Sequence, residues 1–169
     1  TMFDREVDVD KAVSEAKNSD VVVLCLGEGS YTETPGNLTD LTLSETQLKF
    51  AEKIIATGKP VVLVMVEGRP RIINRIADKV SGILLALNPS NEGGRAIADV
   101  LFGDYNPNGK LPFTYPRNPN NHLTYDYKLF EVEETSFGNV ATTPQFNFGH
   151  GLSYTTFEYS DLKLSSKSI

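Results

Sequence analysis

Asp20-Val-Val-Val-Leu-Cys-Leu26, continued without a break by Gly27-Glu-Gly-Ser-Tyr-Thr-Glu-Thr-Pro-Gly-Asn-Leu-Thr-Asp40, decides how this chain is read. The first part is an apolar run of strand length and the second a polar loop with no helical pattern. Connections in α/β units usually take about 2–6 residues. This one is far longer, so something other than chain reversal shapes it. Open α/β sheets bind ligands beyond the carboxyl ends of their strands, which makes this loop the first place to look for chemistry.

Working outward, Val9, Ala12, Val13 and Ala16 recur with a helical period and predict a helix over Val9–Lys17, ended by Asn18-Ser-Asp20. On the far side of the loop, Ser44-Glu-Thr-Gln47 reads as a capping box, with Ser44 accepting from the Gln47 amide and the Gln47 side chain reaching back. The helix it opens is expected to run to about Thr57 with Leu48, Ala51, Ile54 and Ile55 inward, stopped by Gly58 and Pro60. Pro60-Val-Val-Leu-Val-Met-Val66 is apolar on both faces, as a central parallel strand is, and Glu67-Gly-Arg-Pro70 is its end loop. Ile72, Ile73, Ile76 and Ala77 suggest a short helix, Ser81–Leu87 a third strand, Asn88–Gly94 its end loop, and Arg95–Phe102 a helix closed by Gly103. Strand, loop and helix thus repeat three times after an initial helix. The fold class expected is α/β: a mostly parallel sheet sandwiched between helices, with right-handed crossovers and the long end loops on one rim.

From Asp104 the character changes. Asn106-Pro-Asn-Gly109 and Asn118-Pro-Asn-Asn121 are turns, and the prolines of Lys110-Leu-Pro-Phe-Thr-Tyr-Pro116 restrict that stretch to an edge or to coil. The segment up to Asn147 has weak periodicity and is expected to wrap over the surface. Phe146–Tyr159 concentrates aromatics between glycines, and Asp161-Leu-Lys-Leu164 is a candidate last strand. An irregular, aromatic-rich C-terminal wrap therefore completes the expected architecture.

The 169 residues fit one domain, 1–169, large enough for a self-sufficient core. Cys25 is the single cysteine and sits in an apolar run, so it reads as a packed small hydrophobe. A net charge of −6 with no dense Lys/Arg block argues against a nucleic-acid partner. No apolar run approaches the ~18 residues of a membrane-spanning segment. Thr1 ahead of Met2 reads as a cut point, so export is not judged from the start of the chain.

Glu28 and Glu33 are the carboxylates to weigh. Glu33, between two threonines and before Pro35-Gly36, is projected from the loop tip by a bend and can reach a neighbouring domain. Glu28 sits near the strand end, where it is placed to accept hydrogen bonds from the loop. Gly27-Glu-Gly29 resembles the start of a dinucleotide fingerprint, but Thr32 occupies the third glycine position and no helix begins before Ser44 to receive a pyrophosphate. Glu92 at the head of a helix suits the dipole there, a structural role. Arg69 could grip a carboxylate bidentately, although a surface arginine is the commoner case. His122 lies in a turn cluster and His150 reads as part of a packed aromatic corner, so neither a metal site nor a Ser–His hydrolase has support, and no cofactor is expected. Asn37-Leu-Thr39 matches a glycosylation acceptor, a pattern that arises often by chance.

Four blocks, in order and spanning nearly the whole chain, carry a family resemblance: Gly27–Leu43, Thr57–Pro70, Asn91–Pro112 with its Asn91-Glu-Gly-Gly-Arg-Ala-Ile-Ala-Asp-Val-Leu-Phe-Gly-Asp-Tyr-Asn-Pro start, and Phe148-Gly-His-Gly-Leu-Ser-Tyr-Thr-Thr-Phe157. Together they resemble the C-terminal domain of glycoside hydrolase family 3, the β-glucosidase family. The resemblance implies an α/β sandwich packed beside an N-terminal (β/α)8 barrel of the same parent chain, with the active site in the cleft between them. It implies that the barrel supplies an aspartate nucleophile, that Glu33 in Tyr31-Thr-Glu-Thr34 is the acid/base, and that Glu28, Tyr31 and Arg69 bind substrate or shape the loop. A β-linked oligosaccharide or glycoside is the implied substrate, and a periplasmic or secreted location fits the family better than a cytoplasmic one.

A (β/α)8 barrel takes about 250 residues, and neither that length nor its eightfold βα pattern is in this sequence. The chain therefore reads as one domain of a larger hydrolase, with little or no activity expected in isolation. In a retaining glycosidase one carboxylate attacks the anomeric carbon while the other protonates the leaving oxygen and then deprotonates water, the two about 5–5.5 Å apart. Glu33 is the candidate for the second role. Three alternatives stay open: a scaffold or carbohydrate-binding module of a family 3 enzyme whose acid/base lies in the barrel, a family 3 phosphorylase, and an unrelated nucleotide-binding domain. Sugar preference, linkage and oligomeric state are not legible in these residues.

Overall fold

The computed structural model describes residues 8–121, 123–126 and 143–166. Its centre is a parallel sheet in the order β1-β2-β3, with β1 at Val22–Gly27, β2 at Val61–Val66 and β3 at Gly82–Leu87. Val22, Leu24 and Leu26 lie beside Val61, Leu63 and Met65, and Leu63 and Met65 beside Ile83 and Leu85, so one sheet face is a continuous apolar surface. Onto it pack α1 (Val9–Lys17), through Ala12, Val13 and Ala16, and α2 (Glu45–Ile55), through Leu48, Ala51 and Ile54. β2 is central, and Leu63, Val64 and Met65 are fully buried, as its two-faced apolar sequence requires.

The helix ends follow their sequence signals. Asp8 caps α1 by accepting from the Lys11 amide, and Ser44 caps α2 by accepting from the Gln47 amide. Gly103 ends α3 (Gly93–Phe102) in the left-handed conformation. The reciprocal half of the expected capping box does not form. The Gln47 side chain turns away from Ser44 and clasps the backbone of Gly27, accepting from its N–H and donating to its C=O, both at 2.9 Å.

Three further expectations are corrected. Cys25 is exposed rather than packed. It belongs with Val21 and Val23, themselves 50% and 51% exposed, to the face of the edge strand β1 opposite α1 and α2. Ile72–Ala77 do not form a helix: Ile72 bridges Thr42 as an extended residue, and a turn leads into a single 3₁₀ turn at Ala77–Lys79. Ile72, Ile73, Ile76 and Ala77 are nevertheless all buried, because a 3₁₀ turn presents apolar residues at nearly the same spacing, and a segment this short is below the length at which an α-helix nucleates well. Asp161–Leu164 is not a strand; Leu162 and Leu164 stand in solvent.

The described residues from Asp104 onward wrap without helix or strand. Tyr115 pairs with Phe146 in an isolated antiparallel bridge and is buried in the core, with Phe146 packed edge-on against its ring and His150 stacked on Phe146 at 5.1 Å. His150 is itself exposed, as are Tyr154, Phe157 and Tyr159. His122 and most of the segment expected to wrap the surface lie outside the described residues.

Candidate functional site

β1 and β2 end side by side, with Gly27 paired to Val66, so the residues that follow, Glu28 and Glu67, emerge from neighbouring strand ends. Only glycine fits at 27. A Cβ there would lie 1.8 Å from the Val66 carbonyl oxygen. The close approach lets the Glu28 amide donate to that same carbonyl at 2.9 Å and starts the loop as a direct continuation of the sheet.

Glu28 does not face solvent; its side chain is 8% exposed. One carboxylate oxygen accepts from the amides of Gly68 and Arg69, and the other from Arg69 Nε at 3.1 Å and Nη2 at 2.7 Å, with Arg71 Nη1 at 3.4 Å. Arg69 thus holds the carboxylate rather than lying free on the surface, but through two nitrogens on one oxygen instead of the expected two-oxygen fork. Its third nitrogen donates to the Gly36 carbonyl near the loop tip, and its guanidinium lies 3.8 Å over the Tyr31 ring. The Tyr31 ring runs between Gly36 and Gly68, at both of which a Cβ would collide with it. Glu28, Tyr31 and Arg69 are therefore one cluster, which also walls a groove of about 230 Å³ with Gly29, Ser30 and Leu38. A larger recess of about 480 Å³ runs along β1 beside Ala12, Val23 and Cys25, away from the loop.

The far end of the loop is fastened separately. Thr42 donates through its amide and hydroxyl to Asp40, at 2.7 and 2.6 Å, and these two bonds, the hydroxyl's the larger effect, hold the Asp40 carboxyl below its ordinary range. Leu43 and Leu41 exchange backbone hydrogen bonds with Ile72, and Arg71 Nη2 donates to the Thr42 carbonyl at 2.6 Å.

Between these anchors stands Glu33, exposed, at the head of the 3₁₀ turn Thr34–Gly36. Its backbone adopts φ 49° and ψ −141°, a conformation natural to glycine and strained for any residue with a Cβ. Its carbonyl accepts from the Gly36 amide, and its carboxylate has no hydrogen-bond or ion-pair partner among the described residues. Glu92 is the N-cap residue of α3, exposed and without a side-chain capping bond. Among the described residues no group of three or more His, Cys, Asp or Glu side chains could hold a metal, and no helix is long and apolar enough to cross a membrane.

Sequence reasoning missed Glu67, Arg71 and Tyr115. Glu67 is 1% exposed, and burial pushes its carboxyl up to about 7 against the opposing effect of its hydrogen bond with Tyr115. The Tyr115 hydroxyl lies 2.7 Å from Glu67 Oε1 and 2.6 Å from the Arg71 carbonyl oxygen. Burial first, and then the Glu67 charge, raise the tyrosine so that it stays protonated. The signal available was the repeated strand-end pattern, Leu26-Gly-Glu-Gly29 and Val66-Glu-Gly68, which sets two glutamates next to each other once the strands are paired in register.

The family model for the glycosyl hydrolase family 3 C-terminal domain matches residues 3–154. Among curated proteins, the chain is 42% identical over 163 residues to the lysosomal beta glucosidase of Dictyostelium discoideum, covering 95% of this chain and 19% of that protein. It is 39% identical over 172 residues to the periplasmic beta-glucosidase of Salmonella typhimurium, covering 95% and 22%. Among solved structures, a β-glucosidase from Erythrobacter marinus superimposes with a TM-score of 0.76 at 38% identity over 90% of this chain and 21% of that one. A beta-glucosidase from Listeria innocua, in complex with laminaribiose, matches with a TM-score of 0.76 at 32% identity over 94% and 24%. The chain spans about a fifth of the length of the curated relatives it matches. With its parallel sheet, its long loop after β1 and this agreement in sequence and structure, the chain belongs to the C-terminal domain family of glycosyl hydrolase family 3.

Proposed function

We propose that the chain is the acid/base-bearing domain of a retaining β-glycosidase, and that Glu33 is the proton donor and acceptor. The observation that carries this reading is the contrast between the loop's two carboxylates. Glu28 is consumed by five donors within its own domain, whereas Glu33 is held out at the tip with its carboxylate unpaired among the described residues. Its backbone is strained in a way that favours glycine, and strain retained at an exposed position is characteristic of functional sites. A group presented like this serves a site completed by something outside the domain.

The partner in this reading is an N-terminal (β/α)8 barrel of the parent chain, which supplies the carboxylate nucleophile and most of the pocket for the terminal β-linked sugar. Glu33 protonates the glycosidic oxygen as the nucleophile attacks the anomeric carbon. It then takes a proton from the water that releases the glycosyl intermediate. The two carboxyl groups must come within about 5–5.5 Å across the cleft, which a donor at a loop tip can satisfy and one at the loop root cannot. Glu28, Arg69 and Tyr31 shape the loop from beneath, and the exposed edge of Tyr31 faces the groove that a leaving-group sugar would enter. Residues 1–169 by themselves carry no nucleophile in this scheme, so the isolated domain is inactive.

General acid catalysis contributes on the order of 10²–10⁴-fold. In the full-length hydrolase, Glu33→Gln should slow glycosides with poor leaving groups by that order while sparing those with acidic leaving groups. Azide should rescue Glu33→Gly, because a small anion can replace a missing catalytic carboxylate. Equal loss on both substrate kinds, or no rescue, removes Glu33 from the role and favours a scaffold domain.

A further inference from the structure

Glu67 is a buried titratable group that the reaction above leaves unused, and its surroundings fix where its proton is. The Tyr115 hydroxyl sits between two oxygens, Glu67 Oε1 at 2.7 Å and the Arg71 carbonyl at 2.6 Å. Both distances are those of O–H···O hydrogen bonds. A phenol has one proton, and a backbone carbonyl can only accept. The Tyr115 proton therefore points to Arg71, and the second short contact needs a proton that only Glu67 can bring. A carboxylate at 67 would leave two oxygens 2.6–2.7 Å apart with nothing between them on one side of Tyr115.

The other groups facing Glu67 divide. From the end of β1 comes Glu28, whose negative charge opposes a second one nearby; from its own turn comes Arg71, whose backbone N–H and, less strongly, whose charge favour ionisation, although its guanidinium is directed at Glu28 and Thr42. From the extended segment 110–116 comes only Tyr115. Glu67 Oε2 is buried and has no hydrogen-bond partner among the described residues, a cost that a neutral acid bears far more easily than a carboxylate. Burial drives the proton affinity in the same direction, to about 7.

We propose that Glu67, in its protonated form, is a positioning residue for the acid/base loop: through the Tyr115 hydroxyl it closes the turn Gly68–Arg71, and that turn carries both arginines that hold the loop. The chain of contacts is continuous. Glu67 to Tyr115 to the Arg71 carbonyl spans the turn; Arg69 and the Gly68 amide hold Glu28; Arg69 reaches on to Gly36, three residues past Glu33; Arg71 holds Thr42 at the loop exit. When Glu67 ionises, Tyr115 must donate to it instead, the Arg71 carbonyl loses its donor, and a second carboxylate competes with Glu28 for Arg71. The loop then loosens from its base upward. The effect on turnover rests on the reading of Glu33 given above; the proton at Glu67 and its hold on the loop do not.

The test reads no turnover, so it can fail or succeed independently of the role of Glu33. With ¹³C-carboxyl glutamate and ¹⁵N-glycine labelling, pH titration by NMR should show one carboxyl, missing in Glu67→Gln, protonated below pH 6 and titrating near pH 7. The Gly36 and Gly68 amides should shift with the same midpoint. Glu67→Gln, whose amide donates to Tyr115 at every pH, should hold those amides at their low-pH positions throughout. Tyr115→Phe should keep the Glu67 titration and abolish the response of Gly36. A Glu67 carboxyl ionised at pH 6, or Gly36 and Gly68 titrating identically in wild type and Glu67→Gln, overturns the proposal.

Discussion

Replacing Glu33 by glycine is expected to make the protein more stable, although glycine is ordinarily the destabilising choice. At an unstrained position, glycine is less stable than alanine by about 0.4–1 kcal/mol, because the unfolded chain gains freedom. At φ 49° and ψ −141° any residue with a Cβ carries a strain of about 1–3 kcal/mol, and glycine carries almost none. The Glu33 carboxylate makes no hydrogen bond or ion pair among the described residues, so its removal forfeits little. The net expectation is that Glu33→Gly exceeds both wild type and Glu33→Ala in stability by about 1 kcal/mol. For a chain of this size that is a rise of roughly 2–4 °C in Tm. Glu33→Ala serves as the control, since it removes the same carboxylate and keeps the strain. Urea denaturation of the three proteins at one pH decides the matter. If Glu33→Gly is no more stable than Glu33→Ala, the loop tip is relaxed, and the argument that function holds a strained residue there fails. On the proposed role of Glu33, the same glycine variant should lose activity in the full-length hydrolase, so that stability and catalysis move in opposite directions at one position.

Glu28→Ala removes the acceptor for two amides and leaves the Arg71 side chain, 11% exposed, without its carboxylate. Breaking a pair of this kind should cost about 3 kcal/mol by chemical denaturation, and a cost under about 1 kcal/mol would mean that the cluster behaves as a surface pair. Gln47→Ala leaves the N–H and C=O of Gly27 unpaired inside the protein and should cost about 2 kcal/mol, with hydrogen exchange at Gly27 rising in step; unchanged exchange would contradict the clasp. Glu67 gives stability a defined pH dependence. The folded state binds its proton up to about 7, whereas the unfolded state releases it near 4.5, so between those values the folded state holds more protons and stability falls as pH rises. The contribution is complete below pH 4.5, amounts to about 3 kcal/mol, and is lost as pH passes 7. Glu67→Gln should remove it, seen as a stability difference from wild type that grows across that window; parallel curves would rule it out.

The three strands and three helices were legible because each is an apolar run or a helical period bounded by its own cap, and all of that information is local. The segment Ile72–Ala77 was not: its apolar spacing fits an α-helix and a 3₁₀ turn equally, and the pairing of Ile72 with Thr42, thirty residues away, decides between them. Cys25 misled for a related reason. An apolar run shows that a strand is apolar on both faces, but not that it stands at the edge of the sheet, where one of those faces is open. The loop site divides along the same line. Glu28 and Glu33 announce themselves by standing on a polar loop at a strand end. Glu67 stands on one too, but it is buried and its partner is Tyr115, and no local pattern joins residues 48 apart in the chain.

Gln47 fastens the start of the loop at Gly27 to α2, and the Thr42–Ile72 bridge fastens its exit to the segment that follows β2, by bonds that involve none of the residues between them. The stretch from Gly29 to Asp40 is thus mounted like a cartridge between fixed terminals. Apart from Tyr31, Gly36 and Asp40, which bond or pack against residues outside the stretch, residues there could be exchanged while the strands on either side keep their pairing. On the proposed role of Glu33, variation in leaving-group preference among related domains should accumulate inside those terminals and spare Gly27, Gln47 and Ile72.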